Sequence, residues 1–187
     1  MLMTNGAQVF ATSVMLGKIS GANGSSNNKL TIAGGASVTS VLNAGGGSVT
    51  FGYLPFNGSS DNNQLIIDAG GILTNAGPML VAYAPSRTWN GICNNLLVVT
   101  NGGQLFTTGN SFISQDLGAG SLGNLTNNTA VVAGTNSANG VQSLWNLGGG
   151  NLAVGYSTGS GIPSYNNTLT VSAGAILTNA GLITIGG

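Results

Sequence analysis

A parallel β-helix of five to six coils is the fold this sequence predicts. Three observations lead there: a composition suited to turns and strands but not helices, an Asn-Asn doublet recurring about every 33 residues, and apolar positions locked in phase behind each doublet.

The 187 residues include 33 glycines, no histidine, no glutamate and six charged side chains: Lys18, Lys29, Arg87, Asp61, Asp68 and Asp116. Helix-favouring Glu, Lys and Arg are therefore absent or scarce. Gly and Asn supply the left-handed positions of turns, while Val, Ile and Thr suit strands. Hydrophobic residues make up 42% and mean hydropathy is positive, so there is apolar surface to bury and the chain does not read as disordered. A net charge of zero argues against a nucleic-acid partner, which needs many phosphate-neutralising side chains. No apolar run approaches the roughly 18 residues of a membrane helix; LLVV at 96–99 is among the longest. The single Cys93 has no partner for an internal disulfide and reads as a small buried residue.

The doublets lie at 27–28, 62–63, 94–95, 127–128 and 166–167, at spacings of 35, 32, 33 and 39 residues, and each marks the start of a coil within one repeat region spanning 1–187. Two residues past each doublet come Leu30, Leu65, Leu97, Ala130 and Leu169; four past come Ile32, Ile67, Val99, Val132 and Val171. Apolar residues at every second position mark short strands with one buried face. Seven past come Gly35, Gly70, Gly102 and Gly174, with Thr135 the exception, and these mark a corner. Ten past come Val38, Leu73, Leu105 and Leu177, with Ala138 weaker, and these open a second strand. A period of 20–50 residues signals a solenoid or a propeller. Propeller blades need four antiparallel strands and usually aromatic landmarks, so two or three short strands with glycine corners suit about 33 residues better. Crossover connections between parallel strands are right-handed, which sets the expected hand. In such a stack the Asn doublets are expected to form an amide ladder along the axis. Glycan attachment is their other reading, with Asn-X-Ser/Thr at Asn23, Asn57, Asn124, Asn127 and Asn166, triplets that so Asn- and Ser-rich a chain produces by chance.

Between coil bodies run YLPFNGSSD at 53–61, YAPSRTWNGIC at 83–93 and YSTGSGIPSY at 156–165. Their turn-rich, variable lengths read as loops on one edge of the solenoid. Arg87, Trp89, Tyr156 and Tyr165 are the distinctive candidates there, either for binding or simply as corner caps.

The coils also come in types. ILTNAG occurs at 72–77 and again at 176–181; LNAGGGSVTFGY at 42–53 parallels WNLGGGNLAVGY at 145–156; MLMTNGAQVFAT at 1–12 parallels LVVTNGGQLFTT at 97–108. The offsets of 104, 103 and 96 imply a super-period of three coils. In ILTNAG the leucines Leu73 and Leu177 should point inward, with Gly77 and Gly181 turning the chain. Neither end carries the polar cap that solenoids use, so the expectation is a window on a longer repetitive chain or a subunit that stacks end to end.

Chemistry-bearing motifs are weak. GAGSLG at 118–123 fits a dinucleotide fingerprint but no acidic residue follows it, and GYSTG at 155–159 resembles a nucleophile elbow around Ser157 in a chain without histidine. Asp61, Asp68 and Asp116 occupy unrelated repeat positions, unsuited to calcium repeats or to a pair of carboxylates facing one cleft. No enzyme activity, catalytic residue, cofactor or metal is expected. A flat Thr face from Thr74, Thr107 and Thr178, of the ice-binding kind, is a weak further possibility, since regular Thr-x-Thr ranks are missing.

Units of the form NNxLxVxxGGxLxTxxG followed by a GxLxVGY-like tail, best seen in NNTLTVSAGAILTNAG at 166–181 and GGGNLAVGYSTGSG at 148–161, resemble the Asn/Gly-rich repeats of large bacterial surface proteins, including autotransporter-like passenger regions. The resemblance implies an extracellular or cell-surface β-helix acting as stalk, adhesin or matrix fibre. A structural fibre segment that associates with itself is the leading expectation. The alternative is an adhesin or carbohydrate-binding module that meets a glycan or host surface through its loop aromatics.

Overall fold

The computed structural model describes residues 1–18, 24–35, 37–55, 58–85, 91–118, 123–158 and 164–186. Its strands stack in six rungs. The first rung holds β1 (Leu2–Met3), β2 (Gln8–Phe10) and β3 (Val14–Lys18). The second holds β4 (Lys29–Ile32), β5 (Ser40–Asn43) and β6 (Val49–Tyr53), and the third β7 (Gln64–Ile67), β8 (Gly71–Ala76) and β9 (Met79–Ala84). A short strand precedes the doublet in the later rungs. The fourth rung holds β10 (Ile92–Cys93), β11 (Leu96–Thr100), β12 (Gln104–Thr107) and β13 (Ser111–Asp116). The fifth holds β14 (Leu125–Thr126), β15 (Thr129–Ala133), β16 (Leu144–Asn146) and β17 (Leu152–Ser157). The sixth holds β18 (Ser164–Tyr165), β19 (Thr168–Ser172), β20 (Ile176–Thr178) and β21 (Ile183–Ile185).

Like positions pair with like, so each rung gives one strand to each of three six-stranded parallel sheets, with β10, β14 and β18 forming a small fourth sheet. The described residues contain no helix. The chain is a β-solenoid, as its periodicity predicts.

On the first sheet, Leu30, Leu65, Leu97, Ala130 and Leu169 climb in one column, and Ile32, Ile67, Val99, Val132 and Val171 in the next. The inner four rungs bury these side chains almost completely. The second sheet corrects part of the sequence reading. Its inward column is Val9, Leu42, Leu73, Leu105, Trp145 and Leu177. Val38 and Ala138 are not in it; Val38 is 48% exposed and Ala138 lies on the surface. Rungs two and five carry longer corners between the first and second sheets, so a fixed count from the doublet loses phase there. In rung five the corner folds back on itself through an antiparallel bridge between Thr135 and Gln142. Length variation is thus not confined to the loop edge. Rung five also pairs the smallest first-sheet residue, Ala130, with the largest second-sheet residue, Trp145, and both are fully buried. A core of near-crystalline density requires such compensation if successive rungs are to keep one cross-section.

The ILTNAG copies fall on β8 and β20, three strands apart in the same sheet and about 14 Å along the axis. Leu73 is fully buried and Leu177 packs against the core. The turning residues, however, are Asn75 and Asn179, with φ of 51° and 52°. Gly77 and Gly181 serve close approach instead: a Cβ on Gly77 would stand 2.6 Å from the Gly46 carbonyl oxygen, and one on Gly181 2.7 Å from Asn151 Oδ1. Asn tolerates the left-handed region better than other side-chain-bearing residues, which frees glycine for the crowded position.

The third sheet has a kink in every one of its first five rungs. Gly17, Gly52, Ala82, Ser114 and Gly155 all take positive φ, from 61° to 74°. This kink carries the strand against the asparagine corner, where a Cβ on Gly52 would lie 2.6 Å from Asn95 Nδ2. Gly52→Ala should therefore cost both strain and a clash, more than about 2 kcal/mol, whereas Gly46→Ala, with φ of 82° in open space, should cost about 1 kcal/mol. Urea unfolding of the two variants measures the difference; equal losses would refute the crowding.

Candidate functional site

The two residues of each doublet do different work. The first, Asn27, Asn62, Asn94, Asn127 or Asn166, turns the chain with φ between 55° and 63°. The second points inward and forms the ladder. Asn28 Nδ2 donates to Asn63 Oδ1 at 2.8 Å, Asn63 Nδ2 to Asn95 Oδ1 at 3.0 Å, Asn95 Nδ2 to Asn128 Oδ1 at 3.0 Å, and Asn128 Nδ2 to Asn167 Oδ1 at 3.1 Å. Each of those oxygens also accepts the backbone N–H of the asparagine one rung earlier, at 3.0–3.1 Å. Both lone pairs are thereby used. The second amide hydrogen goes back into the corner: from Asn63 to Ser60 Oγ, from Asn95 to the Ser60 carbonyl, from Asn128 to the Ile92 carbonyl and from Asn167 to the Leu125 carbonyl. Asn63, Asn95 and Asn128 are fully buried, and burial of an amide is tolerable only with its hydrogen bonds made.

Two of the four loop-edge candidates, Tyr156 and Tyr165, lie among the described residues. Arg87 and Trp89 lie outside the described residues, as do Asn23, Asn57 and 119–122 of the GAGSLG stretch. Tyr165 is 45% exposed and its hydroxyl accepts a 3.3 Å bond from Asn124 Nδ2. Tyr156 is half-buried on the outer face of the third sheet, 5.5 Å from the ring of Phe112. Tyr53 and Tyr83, on the same outer column as Tyr156, lie 5.8 Å apart. Among the described residues, Tyr53, Tyr83, Phe112 and Tyr156 thus share the outer face of the third sheet.

The three carboxylates occupy separate corners, each accepting a backbone N–H: Asp61 from Cys93 at 2.7 Å, Asp68 from Ala69 at 2.8 Å and Asp116 from Gly118 at 2.9 Å. No group of three or more metal-ligating side chains occurs among the described residues. Ser157 ends a strand in register with Asp116 and opens no helix. Cys93 is half-buried, not buried, and its sulfur accepts a 3.2 Å bond from Thr126 Oγ1. The threonine face does not form. Thr107 is 2% exposed, stands level with Ala76 and accepts the Trp145 Nε1 hydrogen, so it leaves the outward column of Thr74 and Thr178.

Hollows in the surface are shallow and mixed. One of about 290 Å³ lies between the two long corners, against Val38, Ile72, Gln104, Asn136 and Val141. Another of about 420 Å³ opens at the first rung beside Met1, Met15, Leu16, Asn28 and Leu30.

Comparison with protein-family models, curated proteins and solved structures finds no match. Exposed large apolar side chains are frequent on the first and sixth rungs. Rung one exposes Met1 at 70%, Leu2 at 68% and Phe10 at 75%; rung six exposes Leu182 at 60% and Ile185 at 78%. The edge strands there are β1, β2 and β3 on one side and β18, β19, β20 and β21 on the other. No helix among the described residues is long and apolar enough to cross a membrane.

Two outcomes test the corner. Asn95→Ala strands the N–H and amide of Asn63 inside the protein and should cost about 3 kcal/mol in urea unfolding, against less than about 1 kcal/mol for exposed Asn28→Ala. Equal losses would rule out a buried ladder as the main stabiliser. Burial pushes the Tyr83 phenol above its ordinary value of 10.0, with neighbouring Tyr53 adding to the shift. The folded state holds that proton more tightly than the unfolded chain, so the contribution is complete below about pH 10 and is lost as pH climbs beyond it. The urea midpoint should fall in that alkaline range, and fall less steeply in Tyr83→Phe.

Proposed function

We propose that this chain is a structural segment of a bacterial extracellular or cell-surface fibre or stalk, propagated end to end through its solenoid rungs. The observation that carries the reading is the pairing of a continuous interior with open ends. Each inner rung is satisfied by its neighbours through sheet ladders, apolar columns and amide ladder alike, while both terminal rungs present apolar side chains beside unpaired strand edges. Such edges are templates for a further strand. Edge strands are usually blunted by charge, and the few charged residues here leave most of these edges without it: Lys18 ends β3, and β19, β20 and β21 contain none. Stacked rungs add length without changing cross-section, which suits a rod under load better than a catalyst. The cell-surface setting is supported by the resemblance of the NNxLxVxxGGxLxTxxG units to surface-protein repeats.

Electron micrographs of concentrated protein should contain filaments of uniform width. Ile183→Lys combined with Ile185→Lys places charge on the open edge of β21 and should abolish them while leaving the circular dichroism of the rungs unchanged. Monodisperse monomers of the unaltered chain at high concentration would overturn the reading.

A further inference from the structure

The order of rung types specifies how the open ends meet. Rungs one and four share a type, as do two and five, and three and six, and the likeness extends to backbone conformation at several turns, though not at the corner where Ala173 has φ of 52° and its counterpart Ala69 is not left-handed. Asn5 and Gly6 have φ of 54° and 82°, and their counterparts Asn101 and Gly102 have 50° and 82°. Asn75 and Asn179 differ by one degree. The six rungs therefore run one-two-three, one-two-three. The outer edge of rung six is of the third type, and the type that follows the third inside the molecule is the one that rung one represents.

We infer that rung six of one molecule accepts rung one of a second copy, head to tail, in the register of the internal junction between rungs three and four. This rests on the fibre reading above and adds polarity and residue pairing to it. At the internal junction Leu97 stands on Leu65, Val98 on Ile66 and Val99 on Ile67, with Leu105 on Leu73 and Ile113 on Val81. The columns carry each of these to a terminal counterpart. Across the new junction Met1 of the second copy stands on Leu169, Leu2 on Thr170 and Met3 on Val171; Val9 stands on Leu177 and Leu16 on Ile185. Apart from the outward pair Leu2 and Thr170, inward positions meet inward positions, and those are all apolar. Of the exposed end residues, Met1 and Ile185 stand on inward columns and would be covered by the contact, whereas Leu2 and Phe10 face outward.

One feature separates this junction from the internal one. A Cβ on Gly103 would stand 2.3 Å from the Ile67 carbonyl oxygen, and rung one has Ala7 at that place. The closing N–H to O distance of that corner is 3.1 Å at Ala7 and at Ala175, against 2.8 Å at Gly103 and 2.6 Å at Gly71, and the corner must shift to admit the Ala7 methyl.

The test uses disulfide trapping in the 187-residue chain carrying Cys93→Ser. Leu2→Cys and Thr170→Cys together place thiols on the outer face of the first sheet, and adjacent in-register strands bring Cα atoms to about 5 Å, within disulfide reach. Oxidation should give a ladder of covalent dimers, trimers and longer species on non-reducing gels, and Leu2→Cys paired with Thr184→Cys should give none. Ile66→Cys with Val98→Cys is the internal control and should close within one chain. If that control closes and filaments form without a Leu2–Thr170 ladder, the register is wrong although the fibre reading stands. If the chain stays monomeric and no ladder forms, both are overturned.

Discussion

Everything in this protein depends on like standing on like at the parallel-strand spacing of about 4.8 Å. That single constraint decides which side chains are admissible. A residue on an inward column must fit the space above and below as well as the space across, so Leu, Ile and Val recur and Trp145 is admitted only where the partner column shrinks to Ala130. A polar residue is admissible inside only if it both gives and takes along the axis. Asparagine does this: its oxygen receives two hydrogens from one rung while its nitrogen gives one to the next. A carboxylate could not donate, and a hydroxyl has too few hydrogens to hold both the neighbour and the corner.

Much of this was legible in the sequence because stacking writes itself as repetition. The doublets, the columns behind them and the three-coil super-period all follow from residues that must match their counterparts, and each appears in the structure. What stayed hidden lay where the backbone, not the side-chain pattern, sets the outcome. Counting from the doublet placed Val38 and Ala138 in the core, because nothing in the residue types marks how many positions a corner absorbs. Assigning the turn of ILTNAG to Gly77 followed the usual preference of glycine, yet the left-handed residue is Asn75 and the glycine answers a contact with the rung next door. Such a contact lies about thirty residues away in sequence, where local rules do not look. Thr107 left its expected rank for the same kind of reason, drawn inward to serve Trp145.

The same constraint separates the parts of the molecule that carry load from those free to vary. Interior positions are answerable to a neighbour above and below along whole strands, whereas the long corner of rung five is tied to its neighbours at single points, as where Gln142 donates to the Gly174 carbonyl and accepts from the Gln104 side chain. Charges follow that division. The described lysines and carboxylates sit at strand ends and corners, where a carboxylate can take a stray N–H without disturbing any column. A cross-section maintained in this way can be lengthened without redesign, and decoration of its surface leaves the interior untouched.

The long corners of rungs two and five give the rod a texture. They project from one side at every third rung, about 14 Å apart, while the strands beneath repeat at about 4.8 Å. A bundle of such rods is a grating with two rulings. It would scatter X-rays onto a strong meridional line from the strands and onto a weaker one at three times that spacing from the ridges, so the grouping of rungs into threes could be read from an oriented fibre without resolving a single residue.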